Sequence, residues 1–405
     1  MFQIHTFGYL NESTHFLYNN MLDTRAGGMG NTYIGLSDTL IGAYYNPAGL
    51  AYIEQNRITE SSNSFKSTSF DYKNTATNFS YNQKLTSSIP PFFGFFQNFD
   101  DLNVAFSIIT PKSNTINKDN LRTITLTSAD GVDFDYTYYE NYDAKNTQIL
   151  IGPSVATKLN ETLSIGASFF YSYQTRDYIQ NVYSYLTASP DTLKQWNNSY
   201  NDETIHELLG IFGVQWMPTD KLSLGSKVNI PYSLSGSGTE QRTESTFNNA
   251  TEQYTSSIIK QTYDLEDLGF RSNYPQIGIG ASYFHSPETL ISVDLNYLIS
   301  YPTSSTFPTK DTLNIGVGIE HYLSPMVPAR FGLYTNNSFL KSNADGEHID
   351  AMGLSGTIGY EFGANKFNAG FDFQWGTGSY KQDGVKTLDL DYTGITFIIS
   401  ASTSI

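Results

Sequence analysis

The sequence predicts an all-β fold: a transmembrane antiparallel β-barrel of about 14 strands with an N-terminal plug, or hatch, inside its lumen. Three observations predict it. Apolar and small polar residues alternate with period two along many segments. The connections between those segments are alternately very short and long. A glycine-rich N-terminal stretch fits neither a strand nor a helix.

The alternation is clearest where Phe367, Ala369, Phe371, Phe373 and Trp375 oppose Asn368, Gly370, Asp372 and Gln374. The first set is expected to face lipid and the second the lumen, because a charge on the lipid face is costly. The pattern recurs at Leu163, Ile165, Ala167, Phe169, Tyr171 and Tyr173, at Leu222, Leu224, Val228 and Ile230, at Ile277, Ile279, Ala281 and Tyr283, and at Ile291, Val293, Leu295 and Tyr297. A soluble β-sandwich has the same alternation, so the connections decide. Short ones, such as Asn160-Glu161, Thr219-Asp220, Ser286-Pro287 and Ala364-Asn365, are built from turn formers. Long polar ones are expected at 112–145, 179–203, 235–272, 301–310, 341–349 and 379–386. Short periplasmic turns and long external loops are the habit of bacterial outer-membrane barrels.

Candidate strands lie near 58–70, 91–97, 101–110, 146–158, 162–177, 204–216 and 221–234, then near 274–285, 289–300, 312–323, 329–338, 350–362, 366–376 and 387–401. They total 14, an even number that leaves both ends of the strand region on one side. Residues 71–90 either lengthen the first two strands or contribute to the plug. Ser189-Pro190-Asp191-Thr192 reads as the start of a short helix, with Leu193 and Trp196 on one face.

Composition agrees. Tyr 30, Phe 27 and Trp 3 bring aromatic residues to 15%, against only 15% charged residues, as expected where aromatic girdles mark two membrane interfaces. A mean hydropathy of -0.33 carries no weight in such a barrel, because only alternate strand residues meet lipid. No apolar run approaches the roughly 18 to 20 residues of a membrane-spanning helix. The first 20 residues have neither a basic start nor a continuous apolar core, so the chain is expected to be a processed mature form. A net charge of -16 argues against nucleic acid as a partner.

Residues 24–51 read TRAGGMGNTYIGLSDTLIGAYYNPAGLA. Gly27, Gly28, Gly30, Gly35 and Gly42 interrupt them repeatedly, and Pro47 fixes the backbone after Asn46. Small residues suit packing inside a narrow lumen, whereas Met29, Ile34, Leu36, Leu40, Ile41 and Leu50 would be costly in a loose tail. Residues 1–55 are therefore expected to form the plug and residues 56–405 the barrel, with Pro47 rigidifying a turn and the Asn46 side chain satisfying lumenal backbone groups.

Gly27-Gly28-Met29-Gly30, followed by Asn46-Pro47-Ala48-Gly49 within YNPAGLA, resembles the hatch signature of the long-chain fatty acid transporter family and its aromatic-hydrocarbon-uptake relatives. DKLSLG (220–225), YPQIGIGASY (274–283), LISVDLNY (290–297), IGVGIE (315–320) and ARFGLY (329–334) stand in the order of that family's later hairpins. The resemblance implies a 14-stranded barrel that carries hydrophobic molecules inward without energy coupling. It also implies a kink in the third strand that opens a lateral exit, although residues 102–110 contain no glycine. The 24–30 wording is similar to a sister group that includes a barrel subunit of the type IX secretion system.

No enzyme signature stands beside these features. The six histidines, His5, His15, His206, His285, His321 and His348, show no paired ligand spacing, there is no G-x-S-x-G elbow, and Gly278-x-Gly280 lacks a third glycine. Asp130, Asp133 and Asp135, or Asp345, Glu347 and Asp350, read as solvated loop acids rather than a calcium site. The expectation is a non-enzymatic outer-membrane protein with no catalytic residue, metal or cofactor. Its partners would be membrane lipid, lipopolysaccharide and a hydrophobic small molecule. The alternative is a structural or partner-binding barrel of a secretion machine.

Overall fold

A computed structural model describes residues 16, 20–53, 57–74, 79–127, 133–187, 192–249, 251–264, 273–300, 309–341, 346–382 and 385–404. Among the described residues fifteen strands follow three short helical turns. The first seven are β1 (Arg57–Asn74), β2 (Phe79–Phe99), β3 (Leu102–Thr127), β4 (Asp133–Lys158), β5 (Leu163–Thr187), β6 (Thr192–Thr219) and β7 (Leu222–Asn248). Next come β8 (Gln253–Asp264), β9 (Gln276–Ser286), β10 (Thr289–Leu298), β11 (Thr312–Ser324) and β12 (Val327–Asn337). The last three are β13 (Gly346–Phe362), β14 (Asn365–Gln382) and β15 (Val385–Ser404).

Each strand pairs antiparallel with its neighbour, β7 passes directly to β9, and β15 pairs with β1 to close the ring. Fourteen strands therefore make the barrel, as expected. Among the described residues the additional strand β8 pairs only with residues 237–248 in the upper part of β7. The start of β1 and the end of β15 meet at the end that carries the short turns, since Ile58 is the partner of both Ser404 and Phe96.

Much of what read as long polar loop is strand. Residues 112–127 and 133–145 pair as the upper β3–β4 ladder, and residues 192–203 pair with both β5 and β7. The expected helix after Ser189 is corrected accordingly: Ser189-Pro190-Asp191 lie outside the described residues, and Thr192 to Trp196 belong to β6. Trp196 packs on its cross-strand partner Tyr183 with ring centroids 5.2 Å apart. Polar, hydroxyl-rich sequence misled here because a ladder standing above a membrane has water on its sides and needs no apolar face. Of 71–90, residues 71–74 and 79–90 extend β1 and β2. The result is uneven: β3 to β7 run 25–28 residues whereas β9 to β12 run 10–13. About 9–11 tilted residues cross a bilayer, so one side of the wall rises far above the other.

The outer face is apolar, with Ile279, Val293, Val317, Leu333, Phe371 and Phe397 all exposed. The inner face buries Ser282, Asp294, Ser355, Asp372 and Gln374. On β14 the expected register holds: Phe371 and Trp375 point outward, half-buried Phe373 stacks on Trp375, and Asp372 accepts from Tyr334 Oη at 2.7 Å in the lumen. The core is thus the lumen, where Met29, Tyr33, Leu40, Ile41 and Leu50 of the N-terminal segment pack with Phe92, Phe96, Ile109, Leu150, Phe170 and Leu209 of the strands.

Candidate functional site

Residues 20–53 fold into α1 (Thr24–Gly28), α2 (Gly42–Tyr45) and a 3-10 turn (Pro47–Tyr52), too short to be stable alone. Asp23 caps α1, its Oδ2 accepting from Arg25 N and Ala26 N at 2.8 and 2.9 Å. Asn46 caps the 3-10 turn by accepting from Ala48 N at 3.2 Å, with Pro47 as the first residue, a position that needs no N–H. Met29, Tyr33, Ile34, Leu40, Ile41, Ala48 and Leu50 are fully buried.

The sequence-predicted residues occupy two opposite walls. Gly27 packs against Met21, Gly28 against Thr357 of β13, and Met29-Gly30 against β11 and β12. Gly30 has φ +69 and lies on the Leu333 backbone, so both its conformation and its contact exclude a side chain. Across the lumen, Asn46 and Pro47 sit against Gly213 of β6 and Gly166 of β5, Ala48 O accepts from Ser164 Oγ at 2.9 Å, and Gly49 packs on Ser37. Asn46 ties the halves together: its Nδ2 donates to Ile34 O at 2.9 Å and to Val214 O of β6 at 3.2 Å.

The strands provide a matching seat that sequence reading missed. A Cβ at Gly225, Gly280, Gly318 or Gly332 would overlap backbone atoms of Ile34, Gly35, Met29 or Gly30. The glycines of YPQIGIGASY, IGVGIE and ARFGLY are therefore clearance for a second backbone. Asp294 Oδ2 accepts from Tyr33 N and Ile34 N at 2.7 and 2.8 Å. Glu320 receives both Arg25 (2.8 and 2.9 Å) and Arg330 (2.5 Å), while Arg25 also donates to Asp38 at 2.7 Å. Burial would lower the Arg25 pKa, but the Asp38 and Glu320 carboxylates outweigh it and raise it well above the usual value. Ser168 to Ala43 O at 2.7 Å, Asn103 to Leu50 O at 2.7 Å and Gln215 to Leu36 O at 3.0 Å complete the fastening. A charge at an inward position, as in LISVDLNY and IGVGIE, was the available signal.

One part of the wall is not paired. The β2–β3 ladder runs from Phe99↔Leu102 to Phe92↔Ile109, resumes at Leu85↔Ile116, and is missing between. The unpaired stretch contains Pro90 and Pro91 on β2 and Pro111 on β3, three residues with no N–H to donate. Pro90 and Pro91 also fall at the β1–β2 irregularity between Ser62 and Ser64, and Pro111 at the β3–β4 irregularity between Ile109 and Lys112. Glycine was thus the wrong residue to look for in the third strand: proline interrupts the ladder. Inside, a small cavity reaches the wall at Pro111 and Lys112 and is lined by Phe16, Tyr44, Leu209, Leu298 and Phe339 together with Gln148 and Asn273. Asn20 Nδ2, from the N-terminal segment, donates to Thr110 O at this edge at 3.2 Å.

Among the described residues no group of acidic residues and histidines has metal-binding geometry. No protein-family model and no curated protein sequence matches the chain. Solved structures do match in fold. A Pseudomonas aeruginosa FadL homologue superimposes with a TM-score of 0.64 at 13% identity, over 96% of this chain and 99% of that one. The toluene transporters TodX of P. putida (0.64, 12%) and TbuX of Ralstonia pickettii (0.58, 14%) each align over 96% of this chain and 99% of theirs. The fold of this chain is that of the family of long-chain fatty acid and aromatic hydrocarbon transporters.

Proposed function

We propose that the protein is an outer-membrane channel for passive entry of hydrophobic small molecules, with residues 20–53 as its hatch and the β2–β3 interruption as its side exit. The carrying observation is that the lumen is filled at the short-turn end while the wall is unpaired beside a lumenal cavity. A water-filled pore needs neither feature. An apolar solute, excluded by lipopolysaccharide, needs an apolar pocket and a way out that avoids the periplasmic water column. Gly27 to Gly30 and Asn46 to Gly49 serve in this reading as the hatch's two footings, and lipid receives what leaves the side exit. The named transport activities of the structural neighbours support the class; the choice between a long-chain fatty acid and an aromatic hydrocarbon belongs to the test.

The test is uptake of radiolabelled oleate and of toluene by cells carrying the protein, with and without a disulfide across the interruption in Thr86→Cys/Thr115→Cys. These positions continue the register of the flanking pairs Leu85↔Ile116 and Phe92↔Ile109. Uptake of one ligand that falls when the staple is oxidised and returns on reduction supports the proposal. Uptake indifferent to the staple removes the side exit, and no uptake of either removes the transport reading.

A further inference from the structure

The outward residues of most strands are large and apolar, but those of the short-turn half of β1 are Thr59, Ser61, Asn63, Phe65 and Ser67. Register places this polar stripe within the apolar belt. Asn63 pairs with Ile399, Ser67 with Ile395, and Ser61 with both Ala401 of β15 and Phe93 of β2. Hydroxyl and amide groups facing hydrocarbon lack the partners that water would supply. Beside the stripe, small side chains leave an outward cleft of about 570 Å³, lined by Ser61, Asn63, Ala369, Ala401, Phe367 and Ile399.

We propose that this face is where two copies of the chain meet in the membrane. The inference rests on the barrel spanning a membrane. Copies inserted in the same direction are related by an axis along the membrane normal, so equal heights come together in an isologous contact. Only a face whose groups both donate and accept satisfies itself in that arrangement, and hydroxyls and carboxamides do so without like-charge conflict. Lys66 and Glu60, the charged residues of this part of β1, are buried on the lumenal side. The same axis sets the β15 side of one copy against the β2 side of the other. Exposed Phe93 and Phe95, on a ridge beside Ser61, then stand opposite the partner's cleft beside Ala401, twice by symmetry.

The chain has no cysteine, so single-cysteine crosslinking in intact membranes reads the contact directly. Asn63→Cys and Ser67→Cys should form a disulfide-linked dimer of the chain, whereas Val293→Cys, outward on β10, should stay monomeric and unreactive to a water-soluble maleimide. Phe93→Ala, or Ala401→Trp to fill the cleft, should cut the Asn63→Cys dimer about tenfold, equivalent to about 1.4 kcal/mol, with heat-modifiable migration confirming a folded barrel. A monomeric Asn63→Cys beside a protected Val293→Cys overturns the dimer alone, and so does crosslinking only to other proteins. Maleimide labelling of Val293→Cys overturns the membrane reading and the dimer with it. An Asn63→Cys dimer unaffected by both cleft variants overturns the packing.

Discussion

The wall from β9 to β13 and the wall at β2–β3 are built from the same kind of alternating strand and do opposite things. In the first, the ladders are interrupted by nothing more than register shifts beside the short turns, at Thr289/Leu290 and Tyr322/Ser324, and inward glycines admit a second backbone, which Asp294, Glu320 and Ser355 then hold. In the second, prolines withhold donors and the ladder lapses over several residues. Glycine lets a strand approach something other than its neighbour, whereas proline stops it approaching its neighbour at all. The proposed channel, closed at one end and yielding at one side, would need both.

This comparison predicts where damage falls. The largest effect belongs to Glu320→Gln, which leaves Arg25 and Arg330 facing each other without their shared carboxylate. Removing one partner of a buried ion pair costs about 3–5 kcal/mol. The N-terminal segment should become protease-sensitive while the strand circular dichroism persists, and a segment still protected would mean that this triad does not hold it. Asp294→Ala comes next, at about 1–3 kcal/mol, because two buried backbone N–H groups lose their shared acceptor. Amide exchange at Tyr33 and Ile34 should quicken by tenfold or more, and unchanged exchange there would assign the fastening elsewhere.

Gly332→Val inserts carbon where Met29 and Gly30 backbone lies, an overpacking cost of about 1–3 kcal/mol. Gly210→Val, on the outward face of β6, is the matched control. Ion conductance in planar bilayers should rise for Gly332→Val and stay at the wild-type level for Gly210→Val; equal conductances would break the contrast between seat and outer wall. The smallest effect is expected for Pro111→Ala, which restores one donor to the interrupted ladder and is worth about 1 kcal/mol or less. Ligand uptake should slow modestly as the edge closes, and faster uptake would refute proline's role in keeping it open.

The barrel itself was legible residue by residue. Alternation along Phe367 to Trp375 specified which face met lipid, and turn formers such as Ser286-Pro287 marked the short end. Those signals are local, so one sequence carries them. The upper ladders were not legible, because Thr192 to Glu203 and Gln253 to Asp264 have polar residues on both faces and no period to read. Nor was the β2–β3 interruption: Pro90, Pro91 and Pro111 are far apart in the chain, and only the register places them across from one another.

The glycine-rich stretch of residues 24–51 determined by itself that this segment is neither strand nor long helix and that it needs burial, since its apolar side chains have no regular face of their own to hide. Where it is buried was decided by tertiary structure. Gly28 meets Thr357 and Asn46 meets Gly213 because closing the barrel brings β13 and β6 around the same space. The same closure turned the glycines of four separate strand phrases into one seat and a lone Asp294 into a double acceptor for the N-terminal segment. A sequence records what each strand offers to its two faces, but which backbone arrives on the inner face depends on the ring being complete.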